Sequence, residues 1–314
     1  MMTGTGEWMS RACCLKPGLL FEEGKRMSSN NPAIFVSMVV ATLGRSSEFD
    51  ELLASLAALK RRDFEVIVVD QNPDDRLVPI IARFQGVLDI RHLRPKIRGL
   101  SRARNLGAAE AKGQWILFPD DDCWYAPDFL DRFAALVASR PADFYCGRAI
   151  NAEGETIMAR FPAEPETIRR ENVWTTLIEW VFFVRRETFA RSEGFDEQLG
   201  VGAGTPWGAY EGPDLVLKLL KGGASGVYEP SLTGYHPDER AGPPSPEAAR
   251  KMRNYGAGLG YVMRRHGYGF LTFAPHLLRP LAGMFVYTAT GRPKLAYRSR
   301  QLLLGRWTGW RSAA

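Results

Sequence analysis

The 314-residue chain has only four cysteines, Cys13, Cys14, Cys123 and Cys146, with no CxxC pair and no metal-ligand spacing. This argues against a disulfide-stapled secreted scaffold or a zinc site and reads as a reduced, cytoplasmic protein. No stretch supplies the roughly 18 consecutive apolar residues that a spanning helix needs. The nearest, FLTFAPHLLRPLAGMFVYTATG at 270–291, is interrupted by Pro275, His276, Arg279 and Pro280, and suits an interface rather than a crossing. The first thirty residues lack the continuous apolar core of a signal peptide, so 1–31 reads as a disordered extension, with Met27 a candidate start. Neither GxGxxG nor GxxxxGK[ST] follows the first apolar segment, which weakens dinucleotide and P-loop readings. Acidic residues are also missing after Glu247, where twelve Lys and Arg follow. With an overall charge of +6, the chain before that point carries a net −6.

What remains is an ordinary globular balance, 45% hydrophobic and 24% charged, of a length that suits one large α/β domain with an appendage. IFVSMVVATLGR (34–45) and FEVIVVDQNPDD (64–75) are β-branched apolar runs that end at polar residues. Between them Leu52, Leu53, Leu56 and Leu59 recur at helical spacing. VPIIARF predicts a helix, LDIRHLRP a short strand, and SRARNLGAAEAKG a helix capped by Ser101 and stopped at Gly113. WILFPDDD closes the set as a strand. Strand alternating with helix predicts a parallel sheet with helices on both faces. Beyond residue 141, FYCGRAI and WVFFVRRETF read as strands, ENVWTTLIEW between them as a helix, EGPDLVLKLLKGG as a helix, and SGVYEPSLTGYHP as one strand or two. PDERAGPPSPE (237–247) reads as a linker by its proline content.

Ligands bind parallel α/β sheets outside the carboxyl ends of the strands. That places Thr42 to Arg45, Asp70 to Asp75 and Asp120 to Asp122 on one rim. Three adjacent carboxylates at the mouth of a buried strand repel one another unless a cation compensates them. A hard divalent ion, Mg²⁺ or Mn²⁺, takes oxygen ligands and shares carboxylates with substrate phosphates. It would also neutralise charge developing on a phosphate leaving group. The glycine-rich GVGAGTPWGAYEG, which carries Trp207, reads as a loop.

VSMVVATLGR, VIVVDQNPDD, GLSRARNLGAAEAKGQWILFPDDDCWYAPDFL, RRETFARSEGFDEQLG and EGPDLVLKLLKGG, in this order across about 33–240, resemble the family 2 inverting glycosyltransferases. The resemblance implies a GT-A fold: a Rossmann-like nucleotide-binding α/β sheet over 32–240, here followed by a basic amphipathic helical appendage over 241–314. It implies a nucleotide-diphosphate sugar donor and a hydroxyl acceptor. Thr42 and Arg45 then lie by the nucleotide, Asp70 on the base, Arg98 and Arg102 by the diphosphate, and Asp121 at the sugar or ribose. Asp120 and Asp122 match the metal-holding Asp-x-Asp, and His236 stands where some relatives place a histidine near the metal. The family's Glu-Asp-x-Asp reads Glu211-Gly212-Pro213-Asp214 here, so the position most often assigned as base is glycine. Glu211 becomes the expected base, with Asp214 its neighbour. The resemblance also implies that the glycine-rich loop before them is a mobile acceptor loop, in which Trp207 covers a sugar face.

The tail alternates apolar patches with Arg and Lys and ends in two tryptophans, Trp307 and Trp310. Such helices suit the headgroup layer of an anionic membrane, which predicts peripheral contact with the inner membrane face and access to lipid-linked acceptors. No nucleic-acid motif is present. The function expected is metal-dependent inverting sugar transfer in cell-surface glycan or polysaccharide synthesis. A sugar-phosphate nucleotidyltransferase and an inactive nucleotide-sugar-binding scaffold are the alternatives.

Overall fold

A computed structural model describes residues 34–96, 98–237 and 245–312. The expected extension and most of the expected linker lie outside the described residues. Apolar runs that are covered on both faces become central strands. Accordingly β1 (Val36–Thr42) and β2 (Phe64–Asp70) are buried at every position. They pair in parallel with each other, and β3 (Ile90–Leu93) and β4 (Trp115–Leu117) flank them, also in parallel. α1 (Ser47–Ala57) packs through Phe49, Leu52, Leu53 and Leu56, and α2 (Val78–Phe84) through Ile81.

The second half departs from a purely parallel arrangement. β5 (Phe144–Ile150) pairs with β8 (Gly226–Tyr235) in parallel, but β7 (Phe182–Arg185) runs antiparallel between β4 and β5. β6 (Glu166–Thr167) closes an eight-stranded sheet of order β3-β2-β1-β4-β7-β5-β8-β6. Because β7 is reversed, its beginning lies at the same rim as the end of β4. A 3₁₀ turn, Glu179–Val181, leads into β7 there. α4 (Phe129–Ser139) covers one face, where Phe133 stacks on Phe183 at 3.7 Å.

Three local expectations change. WVFFVRRETF is a strand only to Arg185, and Arg186–Arg191 turn into a short helix. α3 spans Leu100–Ala109 and is entered from Gly99, at φ 125°. The Ser101 hydroxyl donates to the Leu199 carbonyl (2.7 Å) rather than capping, and the helix ends before Gly113, whose amide donates to Ser37 Oγ (2.8 Å) on β1. ENVWTTLIEW is not a helix. The Asn172 side chain accepts from the Arg169 amide and turns the chain, and Ile178 is extended. Burial of Val173, Thr176 and Leu177 fixes a compact turn where short-range periodicity suggested a helix.

α5 (Arg186–Arg191) and α6 (Glu211–Lys221) precede three 20-residue helices, α7 (Pro246–Arg265), α8 (Phe270–Ala289) and α9 (Pro293–Ser312). α7 and α9 approach closely because glycines face backbone: a Cβ on Gly256 would sit 2.7 Å from the Leu302 carbonyl, and one on Gly260 would collide with the Arg306 carbonyl. Gly305 and Gly309 of α9 face the Arg253 and Ala257 carbonyls in the same way. Gly258 docks on Ala209 of the loop before α6, and the Gly208 amide donates to Asn254 of α7 (3.1 Å). Overpacking such a seam costs about 1–3 kcal/mol. Gly260→Val is therefore expected to lower the thermal midpoint by several degrees, read by circular dichroism; an unchanged midpoint would contradict close α7–α9 packing.

Candidate active site

Register sets the rim. Thr42 pairs with Asp70 at the ends of β1 and β2, and Ala41 bridges to Asp120 just beyond β4. The chain then exchanges two backbone hydrogen bonds between Trp124 and Tyr235 (3.1 and 2.9 Å), with the rings stacked 5.6 Å apart. This pins the end of β8 against the aspartate loop and delivers His236 to Asp122. A cavity of about 680 Å³ opens above the rim. Arg45, Gln71, Arg98, the three aspartates, Glu179, Tyr210, Glu211 and His236 line it, and α7 contributes Lys251 and Tyr255.

Each carboxylate of the trio has a cationic partner. Arg45 bonds Asp121 and reaches Asp122 at 2.6 Å. Arg104, 2% exposed on α3, donates to Asp120 (2.8 Å) and to Glu211 (3.1 Å). His236 Nε2 lies 3.1 Å from Asp122, while its Nδ1 donates to the Pro237 carbonyl (2.7 Å) and its ring stacks on Trp180. Burial raises the pKa values of Asp120 and Asp121 against the pull of Arg104 and Arg45. Burial would likewise raise Asp122, but the hydrogen bond and charge of His236 outweigh it and hold Asp122 low. Burial would lower His236, yet Asp122 raises it.

Asp120, Asp122 and His236 offer ligand atoms that all lie within 4.8 Å of one another. With Nδ1–H committed to a carbonyl, Nε2 presents either a proton or a lone pair toward Asp122. Two carboxylates and an imidazole nitrogen fit a divalent cation in the proton's place.

Other expected residues fall elsewhere. Asp70 is buried, with one oxygen accepting from the Asn72 amide (2.9 Å) and side chain (2.8 Å) and the other 3.0 Å from His92 Nε2. Asp70 does not line the cavity, whereas Gln71 does. His92 thus has a chemical companion that its sequence position concealed. Thr42 is buried, its hydroxyl without a hydrogen-bond partner among the described residues. Arg102 pairs with Glu197 (3.2 Å) away from the cavity. Trp207 stacks on Tyr261 of α7 at 3.8 Å, and its Nε1 donates to Ser312 (3.3 Å), so α7 and α9 hold the ring. Asp214, fully buried, faces His266 Nε2 (2.8 Å) and Lys218 (3.2 Å), and lies off the cavity wall.

Three groups escaped the sequence reading. Arg104 stands among Ala103, Gly107 and Ala108 on the buried stripe of α3, where a long cation signals a buried acidic partner. Glu179 is the one charge in the apolar run 177–184. Tyr210 adopts the left-handed conformation (φ 76°) just before Glu211, a strained geometry for a residue with a side chain. Burial first, then repulsion from Glu211, pushes Glu179 up to about 7, and burial raises Glu211 against the attraction of Arg104.

The family profile described as Glycosyl transferase family 2 matches residues 37–190, which carry β1 to β4 and the aspartate trio. Over these residues the chain belongs to glycosyl transferase family 2. An uncharacterized glycosyltransferase of Haemophilus influenzae is 28% identical over 65% of this chain and 66% of its own length. The Staphylococcus aureus poly(ribitol-phosphate) β-N-acetylglucosaminyltransferase TarS is 29% identical over 34% of this chain, but the match spans only 19% of TarS. In structure, TarS residues 1–349 superpose with a TM-score of 0.56 at 18% identity, covering 88% of this glycosyltransferase and 90% of that chain. A Pyrobaculum calidifontis mannosyltransferase, solved with GDP-Man and Mn²⁺, gives 0.58 at 14% identity over 87% and 86%. At these identities the structural likeness establishes the fold, GT-A, for this chain. Among the described residues no helix is long and apolar enough to cross a membrane.

Proposed function

We propose that this glycosyltransferase moves a sugar from a nucleoside-diphosphate sugar to a hydroxyl acceptor with inversion, assisted by a divalent cation. The observation that carries the proposal is the convergence of Asp120, Asp122 and His236 within 4.8 Å at the rim of one cavity. TarS has been solved with UDP-GlcNAc and the mannosyltransferase with GDP-Man and Mn²⁺, which supports a donor of this class and manganese or magnesium as the ion. Asp120, Asp122 and His236 would hold the ion, which when bound offsets negative charge on the departing diphosphate. Arg45 and Arg98 add positive charge at the same wall, and Gln71 offers an amide toward the nucleotide. A carboxylate of the Glu179–Glu211 pair takes the proton of the acceptor hydroxyl as its oxygen attacks the anomeric carbon. The anomeric bond to the diphosphate breaks as the new bond forms, so configuration inverts without a covalent enzyme intermediate. Incubation with UDP- and GDP-sugars plus Mn²⁺ should release the nucleoside diphosphate slowly. Pyrophosphate formed from a sugar phosphate and a nucleoside triphosphate would instead support the nucleotidyltransferase, and absence of nucleotide binding the inactive scaffold.

The acceptor is proposed to be a surface glycan or a lipid-linked precursor; that TarS is a poly(ribitol-phosphate) β-N-acetylglucosaminyltransferase supports a polymeric hydroxyl acceptor. α8 supports peripheral membrane contact. Leu271 (88% exposed), Leu278 (60%) and Phe285 (64%) recur every seven residues on one face, and the stretch from α8 through α9 carries Arg279, Arg292 and Lys294 with no acid. The protein should co-sediment with vesicles containing anionic phosphatidylglycerol and not with pure phosphatidylcholine, and Leu278→Asp should abolish the association. Equal recovery in both supernatants would refute the contact.

A further inference from the structure

The cavity holds two acidic side chains that could face an acceptor, and they differ in what already engages them. Glu211 is 6% exposed. Its Oε1 accepts from buried Arg104, and its Oε2 is packed beneath Gly200, where an added Cβ would stand 3.4 Å away. Glu179 is half-buried, lines the cavity between Ile178 and Trp180, and makes no ion pair among the described residues. Its carboxylate fills a space that the sequence leaves open one residue past Glu211. A Cβ on Gly212 would collide with Glu179 Oε1 and lie 2.8 Å from both Cδ and Cγ. Glycine at 212 therefore admits the Glu179 carboxylate to the first turn of α6, on the rim that Asp120 occupies.

We propose that Glu179, not Glu211, is the catalytic base of this glycosyltransferase, and that Glu211 with Arg104 is a positioning pair that fixes the Glu179 carboxylate at the acceptor side of the cavity. The inference rests on the sugar-transfer reading above. In the step, the acceptor hydroxyl gives its proton to a Glu179 oxygen while its electron pair bonds the anomeric carbon. The bonding pair of the anomeric C–O leaves with the diphosphate. The proton passes to water when product departs. Repulsion between the two acids suits the role: a carboxylate held near a second one takes up a proton more readily than an isolated one.

The test uses the full chain, a panel of UDP- and GDP-sugars with Mn²⁺, and water as the acceptor, so that nucleoside diphosphate release reports turnover. Glu179→Gln should lower kcat about 10²–10⁴-fold, with donor KM and the calorimetric affinity for the nucleoside diphosphate within twofold. The double variant Glu179→Ala/Gly212→Asp returns a carboxylate to the same space from the other side, and should regain at least about tenfold over Glu179→Ala, a recovery that a merely structural role would not produce. Turnover of Glu179→Gln within threefold of the unaltered protein, with Glu211→Gln inactive, would overturn the assignment in favour of Glu211. Loss of donor affinity in Glu179→Gln would also overturn it. An unaltered protein that binds nucleotide but releases nothing from any sugar donor would instead defeat the transfer reading itself, and this assignment with it.

Discussion

Asp122→Asn is expected to lower manganese-dependent nucleoside diphosphate release by about 10²–10³-fold, the loss typical when one preorganised stabiliser of developing charge is removed. Among the described residues Asp122 alone pairs with both Arg45 (2.6 Å) and His236 (3.1 Å). The amide keeps the shape but removes the charge that a cation would meet. The variant should need a higher Mn²⁺ concentration for half-maximal rate. Release within a few-fold of the unaltered protein at the same Mn²⁺ would contradict a metal role for this side chain.

Arg104→Met is expected to cost about 3–5 kcal/mol of folding stability, because breaking a buried ion pair leaves its partners uncompensated. Arg104 is 2% exposed and serves Asp120 and Glu211 together, with Glu179 close enough to feel its charge. Urea unfolding followed by tryptophan fluorescence measures the loss. The pH dependence has a definite sign. Without the guanidinium, acids already raised by burial rise further in the folded state, so the folded form binds more protons than the unfolded one. Stability then falls as pH increases, and the variant should recover part of its deficit on acidification. In the unaltered protein the same logic applies to Glu179, raised from 4.5 to about 7. Its unfavourable contribution grows between those values as pH rises, and Glu179→Gln should flatten that window. A deficit for Arg104→Met that is below about 1 kcal/mol and independent of pH would mean that the arginine is not compensating buried acids.

The parallel half of the fold was legible because β1 and β2 are apolar at nearly every position and are separated by a clean helical stripe. Periodicity could not report strand direction, so the antiparallel β7 and its placement of Glu179 at the cavity rim were invisible. Arg45, Asp120, Asp121 and Asp122 were placed on the rim because they follow strand ends that one ligand can reach, whereas His236 and Glu211, which line the same cavity, came only from the family resemblance. Asp214, Arg102 and Trp207 looked equally suitable in sequence, yet each is engaged by a residue far along the chain: His266, Glu197 and Tyr261. Long-range pairing of this kind leaves no local signature. The appendage read as a basic amphipathic helical tail suited to a membrane surface; the pattern did not report that glycines on α7 and α9 draw those helices together and that α7 becomes part of the cavity wall. Arg104 is the instructive omission, since its cationic head is buried by acids sixteen and 107 residues away.

Calorimetric titration of UDP and of GDP into the protein, in excess Mn²⁺ and again in EDTA, tests the cation-assisted donor site most directly. Saturable heat with at least one nucleotide in Mn²⁺, lost in EDTA and lost in Asp122→Asn, is the predicted result. Saturable binding that is unchanged by EDTA and by Asp122→Asn, or no binding of either nucleotide, would contradict it.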